Sequence, residues 1–473
     1  MSQSLRLPSR LGPPVALGLG RGAVVTGSSA ALGVAVALRP EVVLLVPLAF
    51  LWIAIVANWR RGVVALVVFL PFAGLPTFAF DTPFSPLLKD VAIVAPLYLS
   101  LWFALTRERR RIVPAGDRIV PWMLWLGGVA LAFVAVSPSL LTAAIGLKVW
   151  LFCLPMYLIG YHFAESREDV IRLLRLTVAF GLVPTVIALG EVAYFARQGN
   201  FGPFTHLYGR FGDVIVQQVG LYQTIPRIPS TFTSAASYYN FALFALAAGL
   251  ALWWYAPRRG LGVLVFVLGL AAITGGTRRA YFMVPLLLAL PALRKRVHLS
   301  TRLRLLVGAV GVVALLAFLG VQVSGIAGRL GGAATSTATD LVDREILPTL
   351  ANGLIGQGTG ANTNAANRYG ALTVAEGWKE GWYTKAFVEF GFPAALVAIA
   401  LVLAVVRGAF VSVRGLDPAT ARLCLPLAVL LLATAVTLVK ASELDWDPMN
   451  VYFFLTAGLI AGLARSRKDG IDP

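Results

Sequence analysis

Apolar residues occur along this chain in long runs that short polar connections separate. We count about 14 such segments, each near the length that crosses a bilayer as a helix. They are 23–38, 41–58, 62–79, 90–105, 119–136, 142–162, 172–195, 236–256, 260–275, 280–293, 305–323, 383–406, 421–440 and 449–464. The pattern predicts an all-α polytopic integral membrane protein with about 12 to 14 transmembrane helices. It forms a single transmembrane domain over residues 1–473.

Two polar interruptions are much longer than the others, at 196–235 and 324–382. The second contains a helix-like segment, LVDREILPTLANGL, then a glycine turn, GLIGQGTG, and ends in AEGWKEGWYTKAFVEFGFP. Loops of this length are usually functional or disordered. Its aromatic residues and clustered charge favour a folded loop, which we expect to act as a lid.

Composition and charge agree with a membrane protein. The chain is 58% hydrophobic and 13% charged, with a net charge of +18. Nucleic acid is excluded as a partner because the arginines cluster in short connections between apolar runs, as the positive-inside rule predicts. The richest connections are NWRR, RERRRIVPAGDR, ESREDVIRLLR and RKRVHLSTRLR. With these inside, both termini are cytoplasmic and both long loops lie outside.

Cysteine and histidine are too few and too scattered to form a metal-ligand pattern. They are Cys153, Cys424, His162, His206 and His298. The sequence therefore predicts no metal site, and it implies no cofactor.

The first candidate constellation is IPRIPSTFTSAASYYNFALF, at the end of the first long loop. Arg227 stands between two prolines that fix an extended approach to the membrane. It is either an interfacial arginine that reaches lipid headgroups or a phosphate ligand near a helix N-terminus. The residues that could cap this helix are Ser230, Thr231, Thr233 and Ser234.

The second constellation is TGGTRRAYFMV, in which Arg278 and Arg279 lie between two short apolar runs. It is either the basic tip of a hairpin or a phosphate site, because a guanidinium binds phosphate through two parallel hydrogen bonds and stays charged when desolvated. We favour the phosphate site, since the short flanking runs place the pair close to the bilayer.

The third constellation is the end of the long loop. Lys385 and Glu389 are four residues apart, which predicts an ion pair on one helical face. Glu380 has no such structural use. It is either a solvated loop acid or a general base, because a carboxylate at a partly dry interface can have a raised pKa.

In this order, the three constellations resemble the O-antigen ligase and polymerase superfamily of bacterial membrane glycosyltransferases. RIPSTFTSAASYYNFALF resembles the family's arginine followed by Gly-Thr-Phe, with Ser230 in place of glycine. TGGTRRAYFMV resembles its Ser-Arg-Gly/Ala step, with Thr277 for serine and Arg278 for arginine. GLIGQGTG and the later Glu389-Phe390-Gly391 resemble its G-x-G turn and E-x-G segment. The resemblance covers residues 140–464, including the long outer loop.

The resemblance implies transfer of a glycan from an undecaprenyl-diphosphate-linked donor to a glycan acceptor, on the outer face of the bacterial inner membrane and without a metal. Arg227, Arg278, Arg279 and Arg210 would bind the diphosphate, and Glu380 would be the catalytic base. Sugar contacts would come from Trp378, Trp382, Tyr383, Tyr238 and Tyr239. Beyond the donor, the acceptor and the lipid bilayer, polysaccharide assembly and chain-length proteins are candidate partners.

One departure separates this chain from the ligases of that superfamily. Those carry a His-Asn pair shortly before the E-x-G glutamate, where this sequence has Glu380 and Gly381. Transfer onto a lipid A core is therefore in doubt, and Glu380 could take the role of the base. Two alternatives to the glycosyltransferase remain open: a flippase or transporter of lipid-linked oligosaccharides, and a non-catalytic scaffold of a polysaccharide assembly complex.

Overall fold

The computed structural model describes residues 45–79, 87–114, 116–198, 228–274, 280–292, 355–363 and 381–468. The chain divides into a short unit, Met1–Ala54, and a large unit, Ile55–Pro473. The contacts discussed below all belong to the large unit.

Helices account for nearly all of the described chain, and no strand occurs within it. They are α1 (Leu45–Ala57), α2 (Trp59–Phe69), α3 (Leu75–Ala79), α4 (Ala95–Arg107), α5 (Val120–Ala132), α6 (Leu140–Leu151), α7 (Met156–Phe163), α8 (Arg167–Gln198), α9 (Ala235–Tyr255), α10 (Arg259–Thr274), α11 (Ala280–Ala292), α12 (Trp382–Gly415), α13 (Pro418–Thr437) and α14 (Met449–Lys468). A π-helical turn, Asp90–Val94, leads into α4.

Among the described residues, six helical stretches are long and apolar enough to cross a membrane. They are Asp90–Arg107, Leu140–Phe163, Arg167–Gln198, Ala235–Tyr255, Trp382–Gly415 and Pro418–Thr437. The chain is thus an all-α multi-pass membrane protein, as its hydrophobic pattern predicts. Two of the predicted segments, 23–38 and 305–323, lie outside the described residues.

Proline and glycine interrupt three of the predicted spans. The segment predicted at 62–79 breaks at a 3-10 turn over Leu70–Phe72, because Pro71 cannot donate a helical hydrogen bond. The segment at 142–162 breaks between α6 and α7, just before Met156. In α12, Gly391 has φ 71° and ψ 174°, which kinks the helix after its first nine residues.

The helix α9 is the centre of the bundle. It packs against α8, α10 and α13, and most of its side chains are buried. A helix that is apolar on all sides is expected to occupy such a position.

The tightest helix pair is α7 with α14. A Cβ on Gly458 would lie 2.0 Å from the carbonyl oxygen of Tyr157, and one on Gly160 would lie 2.2 Å from that of Leu455. The backbones therefore touch directly, as they do where small residues line helix pairs in membranes. The sequence signal is the Gly-x-x-x-Gly spacing of Gly458 and Gly462.

Three of the connections rich in arginine meet at one end of the bundle, which we call the Arg60 end (residues 58–61, 107–118 and 164–167). There, Glu165 accepts from Arg60 at 2.5 Å and from Arg110 at 2.9 Å. The sequence places these connections on one side of the membrane, and the structure brings them into contact. The opposite end, the Glu389 end, comprises residues 87–90, 137–139, 355–363, 381–391 and 438–448.

Candidate functional site

At the Glu389 end, the fully buried carboxylate of Glu389 holds a loop in place. It accepts from the backbone N–H of Gly360 at 2.7 Å and of Asn362 at 3.0 Å. The indole Nε1 of Trp150 donates to the same carboxylate at 2.7 Å. One side chain thereby joins the loop 355–363 to both α12 and α6.

Only glycine fits at position 360 of this loop. Its φ is +88°, and a Cβ there would lie 2.0 Å from the carbonyl oxygen of Thr142 on α6. Beside it, Thr359 donates through its hydroxyl to Ala130 at 2.5 Å and accepts from Ser137 at 2.9 Å. The G-x-G spacing of the sequence is thus a steric requirement for wedging the loop between α5, α6 and α12.

A second buried acid in this region belongs to an ion pair. Lys385 Nζ lies 2.6 Å from Asp445 Oδ2, and each side chain is 1% exposed. The sequence predicts a pair between Lys385 and Glu389 instead. That prediction is wrong, because α12 directs Lys385 towards the α13–α14 connection while Glu389 faces the loop 355–363.

Two lysines and two aspartates form a charged network beside this ion pair. Lys89 Nζ lies 2.7 Å from Asp447 and 2.9 Å from Asp90, and Lys148 Nζ lies 2.8 Å from Asp90. Lys89 is buried, but the side chains of Lys148 and Asp447 are 37% and 27% exposed. The network is therefore accessible from the protein surface through the cation of Lys148 and the anion of Asp447.

The ammonium of Lys89 is charged throughout the physiological pH range. Burial lowers its pKa, but Asp447 and Asp90 outweigh this effect and leave the pKa above its ordinary value. The stabilisation it supplies is therefore fully present below the ordinary lysine pKa and is lost only as the pH rises through the raised value.

Sequence reasoning did not identify the α13–α14 connection as part of a site. Its Ser-Glu-Leu-Asp-Trp-Asp-Pro stretch places acids at 443, 445 and 447, between two apolar runs. Three acids at alternate positions in so short a connection are the signal that could have revealed it, because charge near membrane depth requires partners. The partners, Lys385 and Lys89, are distant in sequence, and only the fold brings them here.

The stretch after Arg227 forms a buried corner. Ser230 has φ +52°, donates through Oγ to Pro184 at 2.7 Å, and donates through its N–H to Glu191 at 3.3 Å. The hydroxyl of Thr231 donates to Pro71 at 2.5 Å. The corner therefore bridges α8 and the broken segment after α2.

The predicted capping of α9 is confirmed at one of its four candidates. Ser234 is the N-cap, and its side chain accepts from the N–H of Ser237 at 3.1 Å. Ser230 and Thr231 serve the buried corner instead.

The aromatic residues predicted to contact sugars occupy packing positions. Trp382 is 4% exposed, and its ring centroid lies 4.9 Å from that of Trp150. Tyr238 and Tyr239 are 0% and 1% exposed. Tyr238 donates to the carbonyl of Ala271 at 3.2 Å, and Tyr383 donates to that of Ala435 at 2.9 Å. A sugar contact at these rings stays a prediction.

The other predicted site residues lie outside the described part of the chain. They are Arg210, Arg227, Arg278, Arg279, Trp378 and Glu380. Their described neighbours Ile228, Thr274 and Ala280 are all buried. The bond from Tyr238 to Ala271 ties the start of α9, which follows Arg227, to the end of α10, which precedes Arg278.

Within the described ranges, no three His, Cys, Asp or Glu side chains lie close enough together to hold a metal ion. No protein-family model matches the sequence, and no curated protein matches it at a significant level.

Proposed function

We propose that this protein is a glycosyltransferase of surface polysaccharide assembly in the bacterial plasma membrane, polymerising or ligating glycans from an undecaprenyl-diphosphate-linked donor. One observation carries the proposal. The G-x-G turn and the E-x-G segment, more than twenty residues apart in sequence, are bonded to each other through the Glu389 carboxylate. Two motifs that resemble one family thus form one structural unit.

The corner at Ser230 gives independent support. The family has glycine where this chain has Ser230, and Ser230 takes the left-handed backbone conformation that glycine adopts at little cost. The backbone at this position thus suits the family's residue. The serine keeps the conformation by adding a hydrogen bond to Pro184.

In the proposed reaction, the bond between the anomeric carbon and the donor diphosphate breaks, and its electron pair leaves with the diphosphate. Arg227, Arg278, Arg279 and Arg210 stabilise that charge, since pre-placed cations need no reorganisation during the reaction. The acceptor hydroxyl forms the new bond to the anomeric carbon, and Glu380 takes its proton. Lys148, whose side chain is 37% exposed, is a further candidate cation for the diphosphate in this proposal.

The Glu389 end is the outer face in this proposal, and the Arg60 end is cytoplasmic. The long loop, as the proposed lid, then belongs to the outer side, where the lipid-linked donor is present. Buried charges among the described residues cluster around helix ends at the Glu389 end, at Lys89, Asp90 and Lys385. A site near one surface suits transfer between lipid-linked substrates better than transport through the membrane.

The decisive experiment reconstitutes the full chain in proteoliposomes with a lipid-diphosphate-linked glycan. Longer glycans support the proposal, leaflet exchange alone indicates a flippase, and neither result indicates a scaffold.

Arg278→Ala should abolish elongation without affecting membrane insertion. The matched control is Arg258→Ala, which changes an exposed arginine at the other end of the bundle. A normal glycan length distribution in Arg278→Ala would contradict the proposed diphosphate site.

Glu380→Gln should retain donor binding and lose transfer.

A further inference from the structure

The Arg60 end carries a surface that the proposed function does not use. We call it the basic patch; it consists of Arg61, Arg107, Arg109 and Arg111, all exposed. Arg107 is the last residue of α4, and Arg109 and Arg111 follow in the connection to α5. Arg61, in the first turn of α2, follows Arg60, which shares Glu165 with Arg110 at this end of the bundle.

Nearby carboxylates do not neutralise the basic patch. Glu165 is shared between Arg60 and Arg110, Asp169 lies 3.5 Å from Arg60, and Glu108 lies 2.8 Å from Arg110. Within the described part of the chain, none of the four patch arginines has a carboxylate within ion-pair distance. The local acids thus anchor Arg60 and Arg110 and leave the patch with its full positive charge.

The patch adjoins an exposed apolar stripe. On α4, Leu99, Phe103 and Arg107 are spaced four residues apart and therefore lie on one helical face. Leu99 is 48% exposed and Phe103 is 61% exposed. An exposed apolar face on a membrane-spanning helix faces lipid, so this stripe places Arg107 where the hydrocarbon ends and the headgroups begin.

Arg109 occupies a backbone conformation that does not suit it. Its φ is +52°, and it follows the end of α4, with its N–H bonded to Thr106 and that of Arg110 bonded to Leu105. This is the helix-ending position at which glycine is the usual residue, because a Cβ is strained there. The positive-inside rule requires arginine somewhere in this connection, but not at the strained position. It therefore does not explain why Arg109 stands there. Strain retained at an exposed residue indicates a function.

We infer that the basic patch is a binding site for the headgroups of anionic phospholipids in the adjacent leaflet. Guanidinium groups bind phosphate through paired hydrogen bonds, and clustered arginines beside a transmembrane helix attract anionic lipid. The stripe through Leu99 and Phe103 accommodates the acyl chains of the same lipid. An acidic protein partner would account for the positive charge of the basic patch, but it would not account for the exposed apolar stripe beside it.

The test uses the full chain in nanodiscs of phosphatidylcholine doped with phosphatidylglycerol, with lipid retention measured by native mass spectrometry. Each arginine removed should weaken binding of phosphatidylglycerol by about fivefold. Arg107→Ala/Arg111→Ala should therefore lose most of the preference over phosphatidylcholine. The matched control, Arg414→Ala/Arg422→Ala, removes the same charge from exposed positions outside the patch and should retain the preference.

Arg109→Gly separates binding from folding. Glycine suits the left-handed position, so the unfolding temperature of this variant should equal or exceed that of the native chain, while its phosphatidylglycerol preference falls. An unchanged preference in both Arg109→Gly and the double patch variant would overturn the inference. The inference would also be overturned if the control variant lost the phosphatidylglycerol preference equally. The same holds if millimolar inorganic phosphate alone displaced the lipid, or if a poly-glutamate peptide bound in its place.

Discussion

In the buried corner and at the Glu389 end, single residues take conformations and partners that their neighbours in sequence do not reveal. Ser230 takes a left-handed backbone conformation, and its hydroxyl and N–H bond to Pro184 and Glu191 on α8. Lys385 pairs with Asp445, sixty residues further along the chain. Each arrangement is specific enough to be tested by substitution.

For Ser230, glycine should be tolerated better than alanine. Ser230→Gly relieves the left-handed strain while losing the hydroxyl bond to Pro184, so its stability should stay within about 1 kcal/mol of the native chain. Ser230→Ala loses the bond and keeps the strain, and should be less stable than the glycine variant by about 1 kcal/mol. Thermal unfolding in detergent measures both. An alanine variant at least as stable as the glycine variant would contradict this account of the backbone.

For Lys385 and Asp445, the two charges should be strongly interdependent. Lys385→Met leaves the buried Asp445 carboxylate without its ammonium partner and should destabilise the protein by about 3–5 kcal/mol. Lys385→Met/Asp445→Leu removes both charges and should be more stable than Lys385→Met alone. Denaturation in SDS-containing micelles gives the stabilities of the native chain, of Lys385→Met, of Asp445→Leu and of the double variant. Strict additivity of the two single changes would show that the charges act independently.

At the scale of elements, the loop 355–363 is the part of the described chain that most depends on its surroundings. Ala130 of α5 and Glu389 of α12 accept hydrogen bonds from it, and Trp150 of α6 donates to the same Glu389 carboxylate. Sequence motifs identify the loop as a glycine turn. They do not reveal that the turn is buried against α6, because that contact requires α5, α6 and α12 to be assembled first.

A methyl group at Gly360 should disrupt this packing. Gly360→Ala places a Cβ 2.0 Å from the carbonyl oxygen of Thr142 at a φ of +88°, so the loop or α6 must shift. We expect a loss of about 2–5 kcal/mol from combined strain and overpacking. Gly190→Ala is the control, because its Cβ meets nothing within 4 Å and helix propensity should stabilise it by about 1 kcal/mol. Comparable thermal stabilities of the two variants would refute the packing of this loop.

At the scale of the whole molecule, charge separates the two ends of the bundle. Arginines bonded to Glu165 gather at one end, and the network of Lys89, Asp90, Lys148 and Asp447 lies at the other. Positive charge in short connections is retained on the cytoplasmic side during insertion. The Arg60 end should therefore be cytoplasmic.

Cysteine labelling in intact cells tests this orientation without removing native cysteines, because Cys153 and Cys424 are both buried. Ile355 is 76% exposed at the Glu389 end, so Ile355→Cys should react with a membrane-impermeant maleimide added outside. Arg111→Cys, exposed at the Arg60 end, should react only after permeabilisation. The reverse pattern would invert the topology and place the proposed site in the cytoplasm.

The sequence by itself determined the class of the molecule and most of its helices. Runs of apolar residues must be shielded from water and must satisfy their own backbone hydrogen bonds in lipid, so length and composition are sufficient to predict transmembrane helices. The sequence also predicted Ser234 as one of four candidate caps of α9 and a glycine turn at GLIGQGTG, because both depend on local backbone chemistry.

Only the tertiary structure decided which charged side chains meet. Lys385 and Glu389 are well spaced to pair on an isolated helix, yet Asp445 and the N–H groups of Gly360 and Asn362 displace that pairing. Local spacing describes the neighbours a residue has within its own helix, whereas a buried charge binds whichever partner the packed helices bring nearest. In a bundle of apolar helices, few polar partners exist, so the fold rather than the spacing sets the partner of each charge.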